Sequence, residues 1–198
     1  MPGQIKIDDG AGNYTVLTNG GSLGSDKTIT IPNTTGTMAL TSDITSGLSS
    51  AQQFRLTANI TTTGLTDITS NIAVPNGTLQ TNKGSLVSES SGIFSFSETG
   101  YYLIILAVTS NFNADNAYAP VQIRTTNDNF SSEDMIGIVY ARSKQAVEVT
   151  GSTSVIVKIT STTNDKIKFA TDITTNGIVI GTTGQNQTCF TFLKVGEL

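Results

Sequence analysis

The residues best suited to acid–base chemistry are two adjacent acidic pairs, Asp8–Asp9 and Glu133–Asp134, both in stretches that resemble turns. Neighbouring residues on a strand point to opposite faces, so adjacency alone does not make a paired-carboxylate site. The chain has no histidine, and therefore lacks the usual general base and the commonest metal ligand. Its glycine-rich segment 19–24 has neither the lysine nor the following helix of a phosphate loop. We therefore predict no catalytic residues and no enzyme activity.

A second candidate for chemistry is the run from Asn111 to Asn116, whose side chains offer oxygen atoms of the kind that bind Ca²⁺. Its single carboxylate, Asp115, makes a poor ligand set, and loops rich in Asn and Asp usually satisfy their own turns. Cys189 is the one cysteine, and its apolar strand favours a buried small hydrophobe over a reactive thiol. We expect no cofactor and no metal.

Three aromatic residues fall in predicted loops: Phe112, Tyr118 and Phe130. Aromatic side chains on loops serve as contact residues for ligands, but they also close the ends of β-sandwiches. The sequence leaves both interpretations open.

Composition favours an all-β protein. Only 13% of the 198 residues are charged, against about a quarter in an ordinary soluble domain, and Thr, Ser, Asn and Gly are abundant. Threonine suits exposed strand positions, and Asn and Gly suit tight turns. The net charge of −4 argues against nucleic acid or an anionic membrane as a partner. We find no basic-then-apolar signal pattern and no apolar run that could span a bilayer, so we expect cytoplasmic synthesis without membrane insertion.

The stretch Ser91–Val108 organises the rest of the chain. Its first half alternates, with Phe94 and Phe96 on one face, as a half-buried strand requires. After a turn at Thr99–Gly100, the run Tyr101–Val108 is apolar on both faces. One face can enter a sandwich core, and the other needs a second covering surface. The simplest candidate for that surface is another copy of the same chain.

The spacing Gly92-x-Phe94-x₅-Gly100-x-Tyr102 resembles the strand pair of the complement-type and tumour-necrosis-factor-like trimeric jelly rolls. The segments 152–159, 164–169 and 190–195 are similar to later strands of that family in the same order, although Phe192 stands where the family usually has Gly. The resemblance covers residues 52–198. It implies an antiparallel jelly-roll sandwich that forms a homotrimer.

The N-terminal 40 residues contain short alternating segments, Gln4–Ile7, Tyr14–Leu17 and Thr28–Ile31, separated by turn signals such as Asp9–Gly10. Their apolar residues are too few to bury a core. We expect a small β-rich arm that is held against a larger partner.

The segment Ile29–Ile44 is similar to one found in tailed-bacteriophage virion proteins, chiefly fibres and other surface appendages, where it precedes a neck and a head. Around the predicted neck at residues 41–51, Leu40, Ile44 and Leu48 have the spacing of a helix, but Gly47 and the Ser/Thr content weaken one. A short helical neck and an irregular linker both remain open.

From residue 52 the chain reads as a succession of short strands and turns, with a loop predicted at 109–120. The predicted organisation is an anchoring arm (1–40), a neck or linker (41–51) and a jelly-roll head (52–198). The residues expected at the trimer interface or in the core are Phe94, Phe96, Tyr101, Tyr102, Ile104, Leu106, Phe190 and Phe192. The residues expected to anchor the arm on the virion are Ile5, Ile7, Tyr14, Ile29 and Ile31.

Together these features predict a trimeric phage structural protein, exposed on the particle and bound to other virion proteins through residues 1–50. Small size and the core-poor arm favour a capsid decoration or head-fibre protein. A tail fibre or tail knob that binds a host glycan or receptor is the first alternative. A cellular trimeric adhesin or carbohydrate-binding module is the second, and the missing signal sequence counts against it.

Overall fold

The computed structural model describes residues 5–8, 11, 14–17, 48–115, 117–142, 144 and 146–198, with the backbone alone described for 5–8 and 14–17. Internal contacts divide the chain into two compact units, Met1–Ile44 and Thr45–Leu198. In the first unit, strands β1 (Ile5–Asp8) and β2 (Tyr14–Leu17) pair antiparallel. Both strands lie where the alternation predicts them. The predicted turn at Asp9–Gly10 and the predicted strand at 28–31 lie outside the described residues.

The second unit is an antiparallel sandwich. Its strands are β3 (Ala51–Leu56), β4 (Gly64–Asp67), β5 (Ile72–Ala73), β6 (Val87–Ser90), β7 (Ile93–Phe96), β8 (Gly100–Phe112), β9 (Val121–Thr126), β10 (Asp134–Val139), β11 (Glu148–Ile159), β12 (Lys166–Ile173), β13 (Gly177–Val179) and β14 (Cys189–Gly196). They form two six-stranded sheets. The β8 sheet has the order β11-β8-β14-β3-β5, with β13 also on β8, and the β12 sheet has the order β10-β9-β12-β7-β6, with β4 also on β12. The predicted all-β class and jelly-roll sandwich are confirmed.

Alternation within β8 explains how this strand joins the core to an outer face. Tyr102, Ile104, Leu106 and Val108 are fully buried between the sheets, and the residues between them point the other way. On the β12 sheet, alternate residues of β7, β9 and β12 face the core in the same manner. Because the side-chain period of a strand is two, each sheet presents one face to the core and one outward.

The centre of the core is a cluster of phenylalanines from both sheets. Phe94 lies 5.2 Å from Phe54, 5.3 Å from Phe169 and 4.9 Å from Phe192, measured between ring centroids. Phe190 stacks on Phe169 at 4.2 Å. Full burial of one such side chain stabilises the fold by about 1.5–3 kcal/mol. These contacts hold the two sheets together.

The turn between β6 and β7 requires glycine at position 92. Ser91 and Gly92 have φ values of 51° and 82°, and a Cβ on Gly92 would lie 2.0 Å from the carbonyl oxygen of Ile68. An L-residue would meet both backbone strain and a clash with main chain that cannot move aside. Gly92 therefore fixes the close approach of the segment after β4 to this turn.

Strand β8 continues further than predicted. The residues Thr109–Phe112 were predicted in a loop, but 109–111 pair with β11 and 110–112 pair with β13. Pairing on both sides satisfies their backbone groups and overrides their composition. The prediction of a loop over 109–120 was therefore wrong for its first four residues.

The described residues contain no α-helix, and hence none long and apolar enough to cross a membrane. Most of the predicted neck, including Ile44, lies outside the described residues. Leu48 is not helical, and β3 begins at Ala51.

Lys194 on β14 is a buried cation at one end of the sandwich. Its ammonium lies 2.8 Å from Glu98 Oε2 and 2.8 Å from Glu197 Oε2. Burial disfavours its charge, but the hydrogen bonds to Glu197 and Glu98 outweigh that cost and raise the pKa of Lys194 above its ordinary value. The charge is therefore retained within the fold.

Candidate interaction surfaces

The outer face of the β8 sheet carries a group of apolar side chains, with Lys158 and Ser154 of β11 beside them on the same face. We call it the apolar face and define it by Tyr101, Leu103, Ile105, Ile156, Leu193 and Val195. In the register of the sheet, Leu103 is opposite Ile156 on one side and Leu193 on the other, so these residues form a row across three strands. Directly opposed side chains on one face of a sheet are in contact range.

Much of the apolar face is accessible. The side chain of Ile156 is 69% exposed and that of Tyr101 is 38% exposed, and Val195 is also exposed. Leu103, Ile105 and Leu193 are half-buried because their strand neighbours flank them. Large apolar side chains grouped on one accessible surface are typical of surfaces that bind another molecule.

A polar margin borders the apolar face along β3. Gln53 donates to Thr191 Oγ1 at 2.9 Å and accepts a hydrogen bond from the Asn186 side chain. Further along β3, Arg55 is buried, and its Nη2 donates to Asn76 Oδ1 at 2.8 Å. The surface therefore changes from apolar on β8 and β14 to hydrogen-bonded and polar on β3.

Most residues predicted for the interface or core lie in the core of a single chain. Phe94, Phe96, Tyr102, Ile104, Leu106, Phe190 and Phe192 are buried, and Tyr101 alone of the eight lies on the apolar face. Ile156 and Leu193 were not predicted as members of this face, although both lie on predicted strands. Strand register, which the sequence does not specify, brings them beside Leu103.

Tyr102 is buried against Phe96, with ring centroids 4.7 Å apart, and its hydroxyl donates to the Glu98 carbonyl oxygen at 3.0 Å. Burial raises the pKa of Tyr102 above its ordinary value. It cannot contribute to an external surface. Any contact between copies through β8 falls instead to Tyr101 and its outward-facing neighbours.

The predicted anchoring residues lie in the first unit. Ile5 and Ile7 are on β1 and Tyr14 is on β2, with Ile5 opposite Leu17 and Asp8 opposite Tyr14. Ile29 and Ile31 lie outside the described residues. The role of all five as virion contacts stays a prediction.

The outer face of the β12 sheet is charged, and no sequence motif indicated its main cluster. Lys168 forms ion pairs with Asp67 Oδ2 at 2.9 Å and with Glu133, which also pairs with Arg124 at 3.1 Å. Burial disfavours the charge of Lys168, but hydrogen bonds to Glu133 and Asp67 prevail and raise its pKa. The four residues come from distant parts of the chain, so only the fold brings them together.

The 127–133 loop lies against this charged cluster and carries Phe130. The ring of Phe130 covers the Lys168 ammonium, with 4.8 Å from Nζ to the ring centroid. Phe130 is half-buried and lies beside the outer face of the β12 sheet. Phe112, the second aromatic candidate, is fully buried and is excluded from ligand contact.

Tyr118, the third aromatic candidate, stacks on the exposed ring of Tyr140 with 6.1 Å between centroids. The predicted oxygen-rich loop nearby is divided: Asn111 and Phe112 belong to β8, and Asn116 lies outside the described residues. Within the described part of the chain, no group of three His, Cys, Asp or Glu side chains is placed to hold a metal ion. Cys189 is buried, and burial raises the pKa of its thiol.

Comparison with known proteins supports the fold alone. No protein-family model and no curated protein sequence match the chain. Among solved structures, murine APRIL is similar with a TM-score of 0.53 and 11% identity over 74% of this chain and 98% of APRIL. Eiger TNF from S. frugiperda is similar with a TM-score of 0.50 and 11% identity over 75% of this chain and 93% of Eiger.

A third solved structure, the PRD1 vertex protein P5, aligns with 76% of this chain and 99% of its own at 18% identity, with a TM-score of 0.46. This score is too low to establish a shared fold. The matches to APRIL and Eiger support the jelly-roll fold of the chain. At such low identity they carry no functional assignment.

Proposed function

We propose that the chain is a non-enzymatic structural protein of a phage virion, a homotrimeric capsid decoration or head-fibre protein. In this proposal residues 1–40 form the anchoring arm, residues 41–51 a neck and residues 52–198 the outward head. The observation that carries the proposal is the apolar face, where the exposed Tyr101, Ile156 and Val195 adjoin half-buried apolar side chains on three neighbouring strands. Such a face needs a partner in solution.

Another copy of the chain is the partner that best fits the apolar face. The face spans β11, β8 and β14, and β11 is an edge strand of its sheet. In a closed ring of copies, the edge of one protomer can pack on the face of the next, which buries apolar residues without leaving an open end. The resemblance to trimeric jelly rolls favours three copies.

The arm supports the virion part of the proposal. It forms a separate unit that contains the β1–β2 hairpin, and a two-stranded hairpin alone is at best marginally stable. A segment of this kind gains order by adding strands to a sheet edge of a partner. Three arms on one trimer bind together, so weak single contacts give firm attachment. The resemblance of residues 29–44 to phage appendage proteins favours a virion as that partner.

Deletion of residues 1–50 tests whether the arm attaches the protein to the virion and the head alone forms the trimer. We expect the remaining head to form a soluble trimer by light scattering but to lose binding to phage particles that lack the protein. Full-length protein should bind those particles again. A milder variant, full-length protein with Ile5→Ser and Ile7→Ser, should remain trimeric but bind the phage particles more weakly. If the truncated head binds particles as tightly as the intact chain, the arm is not the anchor and the head faces the virion.

A tail fibre or tail knob that binds the host is the second candidate. The stacked pair of half-buried Tyr118 and exposed Tyr140 favours it, because surface aromatics are common at recognition sites. Electron microscopy of virions labelled with an antibody against the head separates the two candidates. Label on the capsid supports decoration, and label on the tail supports host binding.

A further inference from the structure

A small cleft opens on the outer face of the β12 sheet, away from the apolar face. We call it the Phe130 cleft. Its volume is about 230 Å³, and its lining includes Asp67, Thr69, Ser91, Ile93, Phe130 and Lys168. Pockets for drug-sized ligands usually measure about 300–1,000 Å³. This cleft therefore has room for a single small ring, and it lies entirely within one chain.

The backbone at Phe130 is strained. Its φ is 66°, in the left-handed region that a bulky side chain adopts only at a cost, and the preceding Asn129 has a φ of 56°. Glycine or asparagine would occupy this position more cheaply. Strain of this kind persists where the surrounding structure enforces it, and it concentrates at ligand sites.

A hydrogen-bond network enforces the strained conformation. Thr126 Oγ1 accepts from the Phe130 amide at 3.0 Å, and it donates to Asp128 Oδ1 at 2.6 Å. Asp128 also accepts from the Ser132 amide at 2.9 Å and from the Ser132 hydroxyl at 2.6 Å. The loop is therefore built to hold an aromatic ring at the rim of the cleft.

The polar groups of the cleft suit a ligand with several hydroxyls. Asp67 Oδ2 is paired with Lys168, whereas Asp67 Oδ1 and the hydroxyls of Thr69 and Ser91 have no hydrogen-bond partner within the described part of the chain. A carboxylate oxygen accepts strong hydrogen bonds from hydroxyl groups, and Ser and Thr hydroxyls both donate and accept. These groups lie beside the Phe130 ring. The Lys168 ammonium covers one face of that ring, so an apolar C–H face of a ligand would pack against the other face or the ring edge.

The charges around the cleft balance. Lys168 and Arg124 are cations, and Asp67 and Glu133 are anions, and all four are joined by ion pairs. A free anionic ligand would meet Asp67 without an unpaired cation to receive it. The chemistry therefore favours a neutral polyol over an acidic sugar or a phosphate.

We propose that the Phe130 cleft binds one neutral pyranose unit of a saccharide, with its C–H face on Phe130 and its hydroxyls on Asp67, Thr69 and Ser91. The site depends on neither trimer formation nor attachment by the arm. Failure of the proposed virion function would leave it standing, and its own failure would leave the virion function untouched.

The test uses the full-length protein and the methyl glycosides of glucose, galactose, mannose and N-acetylglucosamine as probes. We expect at least one to bind saturably in the millimolar range and to shift the NMR signals of Phe130, Ile93 and Thr69. Phe130→Ala should weaken binding roughly tenfold or more, because the stacking surface is lost. Leu79→Ala, which shortens a side chain that is 96% exposed and lies outside the cleft, should leave binding unchanged.

Phe130→Asn separates a ligand role from a packing role. Asparagine tolerates a positive φ, so this variant should melt within a few degrees of the wild type and yet fail to bind the glycoside. A fall in melting temperature as large as that of a core Phe→Ala variant would assign the ring to packing and overturn the proposal. So would the absence of saturable binding by all four probes, undiminished binding by Phe130→Ala, or preferential binding of an anionic methyl sialoside.

Discussion

The outer faces of the two sheets differ, although both sheets share one core. Ile156 on β11 and Met135 on β10 are both apolar residues on edge strands, with 69% and 53% of their surface exposed. Ile156 is opposite Leu103, whereas Met135 is opposite Arg124. A single exposed apolar residue among charges is ordinary, but one that continues into a row of apolar residues across three strands is not. The two outer faces therefore differ in the side chains that surround Ile156 and Met135, and not in how exposed these two residues are.

The largest expected effect concerns the core on which both outer faces depend. Phe192→Ala should lower the free energy of unfolding by about 3–5 kcal/mol, through lost burial and the cavity left among the phenylalanines. Chemical denaturation monitored by circular dichroism measures it.

The matched control for Phe192→Ala is its neighbour on the other face of β14, Thr191. Thr191→Ala removes a hydrogen bond with Gln53 at 2.9 Å and should cost about 1 kcal/mol. A larger cost for Thr191→Ala than for Phe192→Ala would show that the inward and outward faces of β14 have been exchanged.

Much of the fold follows from alternation in the sequence. Phe94 and Phe96 alternate with serines, so their burial could be predicted, and the apolar run after Gly100 indicated a strand covered on both faces. The polar residues Thr109–Asn111 led to a wrong prediction of a loop. They belong to β8 because the neighbouring strands β11 and β13 pair with this segment, and not because of their own strand preference. Local composition is a weak guide wherever two neighbouring strands supply the hydrogen bonds.

The surface sites were less predictable. Tyr101 could be assigned to the outer face only once Tyr102 was known to be buried, since the run is apolar in both phases. Lys168, Asp67 and Glu133 lie on separate segments, and their meeting depends on sheet order and on the path of the 127–133 loop. The strain at Phe130 has no sequence signal, because nothing in its neighbours demands a positive φ.

A charge introduced on the apolar face should weaken self-association, whereas a charge on the outer face of the β12 sheet should not. Ile156→Asp places a charge in the row formed with Leu103 and Leu193, where burial in an interface would leave it unpaired. We expect the dissociation constant of the trimer to rise by about 100-fold, or about 2.8 kcal/mol. Sedimentation equilibrium or light scattering over a dilution series measures it.

Met135→Asp is the matched control, because Arg124 and solvent surround it on the β12 sheet. It should leave the oligomeric state unchanged. Dissociation by Met135→Asp but not by Ile156→Asp would move the interface to the β12 sheet. A wild-type protein that stays monomeric at all concentrations would contradict any self-association through the apolar face.

The smallest expected effect is confined to the loop of the β12 sheet. Hydrogen bonds from the Ser132 side chain, the Thr126 side chain and the Ser132 amide lower the pKa of Asp128 from 3.8 to about 2. A depressed pKa means that the folded loop favours the ionised carboxylate, so this contribution is complete above pH 4 and is lost as the pH falls toward 2. The amide NMR signals of Phe130 and Ser132 should therefore titrate near pH 2, while the trimer persists through this window because the apolar face carries no carboxylate. Asp128→Asn keeps an acceptor oxygen but takes up no proton, and it should remove the titration from both signals. A midpoint near 3.8, or an unchanged profile in Asp128→Asn, would show that this carboxylate does not hold the loop.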